Sequence, residues 1–314
     1  MALAIVAPST KVDVSVLVPA KDEAANLPLF LEEAAAAFQT ADATFEVIVI
    51  DDGSTDETWA VLGRLVDQYP FVRRVRHRRQ RGIADALRTG YLQARGDVLV
   101  FYPADLQYKP EDIPRLVAPI LAGESDMVTG YKQGKYEKAF VSRVYNRLSR
   151  LLFEIPVRDL NSVKAYRREI MEQLPVRPDW HRYMIVIAAA QGFTVTEIPV
   201  PLYPRHAGHS KFGKSRIVVG TLDMLSVWFE LRFGRKPLML FGTLGSFLFL
   251  LGVLTGIVAL LMRFVIPPYQ GFRPLLNLIE VCLILGFLSF ATGLLGEQIA
   301  GIRAELREMR RDDE

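Results

Sequence analysis

The sequence predicts an α/β domain built on a mostly parallel sheet, followed by an interfacial helix and a two-helix transmembrane hairpin. Three observations carry this expectation. Apolar runs of strand length alternate with runs of helical spacing from Val12 to Lys132, the pattern of strand–helix–strand units. From Leu238 to Leu261 about 24 residues pass without a charge, and from Leu275 to Gly296 about 22 are interrupted only by Glu280; both are of membrane-spanning length. Between these regions, residues 215–237 place Val218, Leu222, Leu225 and Phe229 at helical spacing, with Trp228, Arg232 and Arg235 suited to an interface.

The elements follow in order. VDVSVLVPA (12–20) reads as a buried strand and EAANLPLFLEEAAAAF as a helix. FEVIVIDDG (45–53) is a second strand, and STDETWAVLGRLVDQY a helix with Ser54 or Thr55 as its N-cap. VRRVRHR is a third strand, GIADALRTGYLQA a helix and DVLVFY a fourth strand. PEDIPRLVAPIL is a helix with Pro110 in its first turn, and SDMVTGYK a further strand. Ligands of such sheets bind beyond the carboxyl ends of the strands. Three of those ends are polar: Pro19–Glu23, Asp51-Asp52-Gly53 and Asp105-Leu106-Gln107. Groups far apart in the chain therefore converge on one crevice. No Gly-x-Gly-x-x-Gly follows the first strand and no Walker lysine loop is present, which sets aside the usual dinucleotide and P-loop solutions.

With 314 residues, half of them hydrophobic, and a net charge of +3, the chain has room for one sizeable domain and an appendage. Nothing in it calls for a nucleic-acid partner. The start, MALAIVAPSTK, is too short for a secretory signal and lacks its basic opening. The single cysteine, Cys282, excludes an intrachain disulfide and a cysteine metal cluster. FGRKP precedes the first span and Arg303, Arg307, Arg310 and Arg311 follow the second, while the connection (about 262–274) holds only Arg263 and Arg273. The positive-inside rule then predicts a multi-pass protein of the cytoplasmic membrane, with both termini and the domain in the cytoplasm. Pro267-Pro268 help the turn of the hairpin, and Arg263 and Glu280 are expected to pair within it. The expected boundaries are 1–214 for the domain, 215–236 for the interfacial helix, 237–302 for spans near 238–262 and 275–297, and 303–314 for a charged tail.

Six motifs in order carry a resemblance: VPAKDEAANL, VIVIDDGSTDET, RGIADALRTGY, PADLQYKPED, GYKQGKYEKAFVSRVYN and PRHAGHSKFG. From about Val12 to its end the chain resembles family 2 glycosyltransferases of the GT-A fold, most closely the polyprenyl-phosphate branch that includes dolichol-phosphate mannose synthase and bactoprenol glucosyltransferases. It departs at Pro103, where that family has the first Asp of Asp-x-Asp, and at Lys132 and Lys138, where Arg is frequent.

The resemblance implies site roles. Pro19, Ala20, Glu23, Asp51, Asp52, Gly82, Asp105 and Gln107 would bind the nucleotide sugar. Asp105 and Gln107 would hold a divalent cation, Mg²⁺ or Mn²⁺. Lys132, Lys138, Ser142, Arg205, Ser210 and Lys211 would meet the acceptor phosphate, and Asp105, Asp159 and Arg205 would be catalytic. Asp179 and His181 are alternative bases. The chemistry is consistent with this set. Mg²⁺ typically takes one or two protein carboxylates and completes its shell with phosphates and water, so Asp105 alone can serve. A lipid phosphate is already an anionic nucleophile and needs cations and proximity more than a strong base. The expected reaction is inverting transfer of a hexose, from a UDP-hexose or else GDP-mannose, to undecaprenyl or dolichyl phosphate at the cytoplasmic face. A homotetramer is implied by the family. The alternative is a non-catalytic relative that binds nucleotide sugar or lipid and organises a membrane complex. A processive polysaccharide synthase is disfavoured, because one hairpin is too little for a channel and no Gln-x-x-Arg-Trp occurs.

Overall fold

The computed structural model describes residues 12–133, 147–153, 155, 157–173, 180–207, 215–265 and 273–312. The chain divides into two compact units, Met1–Met224 and Leu225–Glu314.

The first unit is built on a seven-stranded sheet: β1 (Val14–Ala20), β2 (Phe45–Asp51), β3 (Val72–Arg76), β4 (Val98–Phe101), β5 (Met127–Gln133), β6 (Lys164–Arg167) and β7 (Val195–Pro201), in the order β3-β2-β1-β4-β6-β5-β7. Strands β1 to β4 are mutually parallel, and β6 alone runs the other way, antiparallel to both β4 and β5. Helices α1 (Leu27–Gln39), α2 (Thr58–Gln68), α3 (Ile83–Gln93), α4 (Ile113–Leu121), α5 (Arg168–Gln173) and α6 (Met184–Ala190) belong to this unit. Side chains alternate across a strand, and both faces of the sheet use that alternation. Val14, Val16 and Val18 of β1 join Leu27, Phe30 and Leu31 of α1 and Leu116 and Val117 of α4 in one core. Leu17, Ile48 and Ile50 meet Ala86 and Leu87 of α3 in the other. Burial on both faces explains the unbroken apolar runs Val16–Ala20 of β1 and Val47–Ile50 of β2.

Two details place the site. The strand order turns outward on either side of β1, with β2 on one flank and β4 on the other, so a crevice opens at the carboxyl ends of β1 and β4. The reversed β6 also starts at that edge: its first residue, Lys164, lies opposite Phe101, the last of β4.

Two local expectations are corrected. Neither Ser54 nor Thr55 caps α2, which begins at Thr58. Ser54 Oγ instead accepts from the Asp22 N–H at 2.9 Å, and the Thr55 N–H donates to Asp22 Oδ1 at 2.8 Å. Asp56 Oδ1 receives the Thr58 N–H at 3.0 Å. The long-range tie to the β1 turn outcompetes the local cap. Pro110 opens a short 3₁₀ turn, Pro110–Asp112, before α4.

Helix α7 (Ser215–Phe233) begins in the first unit, where the Tyr183 hydroxyl donates to the Gly220 carbonyl at 2.9 Å and Met224 is wholly buried. The first half of the predicted interfacial helix is thus docked on the α/β unit, while Leu222 and Leu225 of its apolar stripe stay exposed.

The second unit holds α8 (Pro237–Val265) and α9 (Arg273–Asp312), of 29 and 40 residues, both long and apolar enough to cross a membrane. At helical rise α8 is about 44 Å long, more than the ~30 Å of a hydrocarbon core. Glycines line much of their seam, a packing that suits helices that would gain little from hydrophobic burial in lipid. A Cβ on Gly286 would stand 2.6 Å from the Phe249 nitrogen and 2.9 Å from the Gly245 carbonyl oxygen. Gly286→Val is therefore expected to pry the helices apart, at a cost of order 1–3 kcal/mol. A lower melting temperature in detergent would show it. Gly301→Val, where a Cβ meets nothing within 4 Å, is the control, and equal melting of both variants would contradict this packing. The seam sets Gly252 against Leu283 and Gly256 against Ile279. Glu280 is therefore level with about Thr255, and Arg263 lies roughly 12 Å further along at helical rise. This stagger is why the expected Arg263–Glu280 pair does not form. Residues 303–312, expected as a tail, continue α9, and Arg303 pairs with Glu230 at 3.1 Å.

Candidate active site

At the end of β2 two adjacent aspartates do different work. Asp51 is wholly buried. Its Oδ1 accepts the Ser54 N–H at 2.8 Å. Its Oδ2 has Arg76 Nε at 3.1 Å but receives no well-aligned hydrogen bond. Asp52 is held from within: Oδ1 meets His77 Nδ1 and the Arg81 N–H, and Oδ2 the Gly82 N–H, each at 2.8 Å. The other His77 nitrogen lies 2.9 Å from Thr89 Oγ1. Asp52 thus closes the 77–82 loop onto the strand end and seats Gly82, whose φ of +94° suits only glycine, at the start of α3.

The turn after β1 interlocks with the turn after β2. The Asp52 N–H donates to the Ala20 carbonyl at 2.8 Å, next to the half-buried Pro19, and Lys21 Nζ to the Gly53 carbonyl at 2.8 Å. The Glu23 N–H donates to Thr58 Oγ1 at 2.8 Å, and its carboxylate accepts from Asn26 Nδ2 at 2.5 Å. Pro19, Ala20, Glu23, Asp51, Asp52 and Gly82 are therefore parts of one interlocked rim.

At the end of β4, Asp105 is only 9 % exposed. Its Oδ1 accepts the Gln107 N–H at 3.2 Å, and its Oδ2 lies 2.9 Å from Arg205 Nη2. The same Nη2 donates to Gln107 Oε1 at 3.3 Å. Leu106, between the two, has a φ of +58°, a strained value for a side chain branched beyond Cβ and one that functional turns often hold. Burial pushes the Asp105 carboxyl up from its ordinary range, and the Arg205 guanidinium opposes that rise. Asp105 and Gln107 offer hard oxygen donors, which suit Mg²⁺ or Mn²⁺ once phosphate oxygens and water fill the remaining positions. Among the described residues, no group of three His, Cys, Asp or Glu side chains could hold a cation unaided. The residues fit a metal that arrives with its phosphate ligand.

A second cationic cluster surrounds Asp159, which is 4 % exposed. Lys132 Nζ lies 3.2 Å from Asp159 Oδ2 and donates to the Asn161 carbonyl at 2.9 Å. The Asp159 turn is held from β7 by Glu197, whose Oε1 accepts the Arg158 N–H at 2.7 Å. Beneath it Lys164 is 1 % exposed, donates to the Leu160 carbonyl at 3.1 Å and stands 5.8 Å over the Phe101 ring. Burial pulls its ammonium down to about 7; the Asp159 charge opposes the fall, and Lys132 and Arg182 add to it. His181 packs edge-on against Phe101 at 6.2 Å between ring centroids.

Of the residues nominated from sequence, the fold gathers Asp105, Gln107 and Arg205 into one cluster and Lys132 and Asp159 into another. Lys138, Ser142, Asp179, Ser210 and Lys211 lie outside the described residues. Sequence reasoning missed His77 and Lys164. The only signal for Lys164 was a lone charge in an apolar strand-like run, SVKAY.

The family model described as "Glycosyl transferase family 2" matches residues 15–181. The dodecaprenyl-phosphate galacturonate synthase of Rhizobium johnstonii is 30% identical over 301 residues, 93% of this chain and 89% of the relative. The undecaprenyl-phosphate 4-deoxy-4-formamido-L-arabinose transferase of Klebsiella pneumoniae is 29% identical over 94% of this chain and 90% of its own. Among solved structures, glucosyl-3-phosphoglycerate synthase from Mycobacterium tuberculosis, in complex with Mn²⁺, UDP and phosphoglyceric acid, superposes with a TM-score of 0.55. It is 20% identical, over 70% of this chain and 78% of that one, and shares the fold. With two strand-end carboxylate clusters on a GT-A sheet and relatives matched along nearly its whole length, the chain belongs to glycosyl transferase family 2 and is a glycosyltransferase.

Proposed function

We propose that the protein transfers a hexose from a nucleotide sugar to a polyprenyl phosphate at the cytoplasmic membrane face, with inversion at the anomeric carbon. A UDP-hexose is the preferred donor and GDP-mannose the second. The observation that carries this is the pairing of two distinct clusters at one sheet edge. One, Asp105–Gln107–Arg205, suits a diphosphate with its cation. The other, Lys132–Asp159 with the buried Lys164 beneath it, sets the Lys132 ammonium where a second phosphate can be met. The relatives named for polyprenyl-phosphate acceptors support the acceptor class, and the two long apolar helices support a membrane location.

In this reading the buried Asp51 Oδ2, without a hydrogen bond of its own, accepts from a base N–H. Asp52 holds the loop that closes the nucleotide pocket. A phosphate oxygen of the lipid attacks the anomeric carbon in line, forming the new C–O bond. The old C–O bond breaks, and the nucleoside diphosphate leaves with its electron pair. No proton need be removed from the attacking oxygen, so Asp159 orients Lys132 rather than acting as a base. A bound divalent cation supplies charge stabilisation to the leaving diphosphate. Lysines bind the lipid phosphate as point charges. Lys138, Ser142, Ser210 and Lys211 complete the acceptor contacts in this proposal.

The test is transfer of labelled sugar into an organic-extractable lipid by the purified full chain. Undecaprenyl and dolichyl phosphate would be offered with UDP- and GDP-hexoses, a nucleotide-linked galacturonate and a nucleotide-linked aminopentose. Label in lipid with one donor is expected. Nucleotide binding without transfer from any donor would favour the non-catalytic alternative.

A further inference from the structure

One guanidinium occupies the place where a cation would face this chain's donors. Arg205 Nη2 lies 2.9 Å from Asp105 Oδ2 and 3.3 Å from Gln107 Oε1. These are the two side-chain oxygens at the β4 end that suit a divalent ion. Asp105 needs a countercharge there: its carboxylate is nearly buried, its other oxygen is taken by the Gln107 N–H, and position 103 is proline. An unpaired charge at such a depth is costly.

The backbone around this contact is anchored separately. The Tyr203 N–H donates to the Gln107 carbonyl at 2.9 Å, so the segment leaving β7 stays in place if the guanidinium swings away. The Arg205 side chain is 24% exposed, which leaves it a path toward solvent.

We propose that Arg205 is an internal counter-cation that holds the Asp105–Gln107 pair until metal and diphosphate arrive together and displace it. The proposal rests on the donor-site reading above. Two cations cannot share the same two oxygens. A metal ion arriving alone must displace the guanidinium from both oxygens and brings it no new anion. A metal ion arriving with a diphosphate supplies the expelled guanidinium with a new anionic partner. Metal and nucleotide binding are then positively coupled, and by linkage each strengthens the other by the same factor. Pro103 has a consequence in this scheme. With a single carboxylate at the turn, one arginine is enough to neutralise it.

The test is titration of the full chain in detergent with Mn²⁺, following free aquo-Mn²⁺ by electron paramagnetic resonance, alone and with saturating UDP or GDP. A nucleotide-only blank corrects for Mn²⁺ bound in solution. Wild type is expected to bind Mn²⁺ weakly alone and about tenfold or more tightly with the accepted nucleotide, within the usual range of coupling. Arg205→Gln is expected to bind Mn²⁺ alone about tenfold more tightly than wild type and to lose most of the nucleotide enhancement. Arg205→Lys keeps a positive charge and the wild-type pattern, which separates competition from a folding defect. Asp105→Asn loses Mn²⁺ in both states. If Arg205→Gln binds Mn²⁺ no more tightly than wild type while Asp105→Asn abolishes binding, the counter-cation role is wrong and the donor site stands. If Asp105→Asn binds Mn²⁺ like wild type, the donor-site reading fails and takes this proposal with it.

Discussion

Replacing Asp105 with asparagine is expected to lower sugar transfer by about 10²–10³-fold, the usual worth of a lost charge-stabilising group at a reacting centre. The substitution is nearly isosteric, and an amide oxygen can still accept the Gln107 N–H that Asp105 receives at 3.2 Å. What it removes is the negative charge facing Arg205 and any cation. The turn follows β4 rather than lying within a strand, so the fold should survive, as circular dichroism and melting would check. The measurement is labelled sugar in organic-extractable lipid. A rate within tenfold of wild type would take Asp105 out of the chemistry and leave Pro103 as the mark of a site that has lost its metal.

Lys164→Met is expected to make the protein more stable and slower. A wholly buried ammonium is costly, by several kcal/mol per ion even after relaxation, and an apolar side chain of similar volume removes that desolvation cost. The pH dependence has a definite sign. Lys164 is drawn from 10.5 down to about 7 in the fold, so between those values the unfolded chain holds more protons than the folded one. Stability therefore rises with pH across that window and is lost as pH falls through about 7. The variant should melt above wild type at pH 6, and the gap should narrow toward pH 10. Transfer should fall roughly tenfold, equal to about 1.4 kcal/mol of lost transition-state stabilisation, because Lys132 and Asp159 lose a neighbouring charge. A variant that melts lower would mean the lysine supports the core, and unchanged transfer would mean it does not serve the reaction.

The parallel half of the sheet was legible because its signals are local. Each of β1, β2 and β4 is an apolar run ending in a polar turn, and the helices between them show their own spacing. Asp105 stood out for that reason, a carboxylate just past a strand end. Lys164 did not. In SVKAY it sits where a strand facing solvent would place a lysine, and its burial follows from the insertion of a reversed β6 between β4 and β5. Asp52 read as a ligand acceptor from its motif. Its three internal partners became apparent only when the loop after β3 folded back onto β2.

By itself, then, the sequence determined the α/β class, the polar strand ends and two helices of membrane-spanning length. These depend on periodicity and composition within short windows, which the chain carries wherever it folds. Tertiary structure decided which charges meet. Arg205 reaches Gln107 across 98 residues, Lys132 meets Asp159 across a strand pairing, and the helical seam staggers Arg263 past Glu280. Such pairings depend on strand order, chain reversal and helix register, which are set by the packing of the whole chain and leave no periodic trace in any one segment.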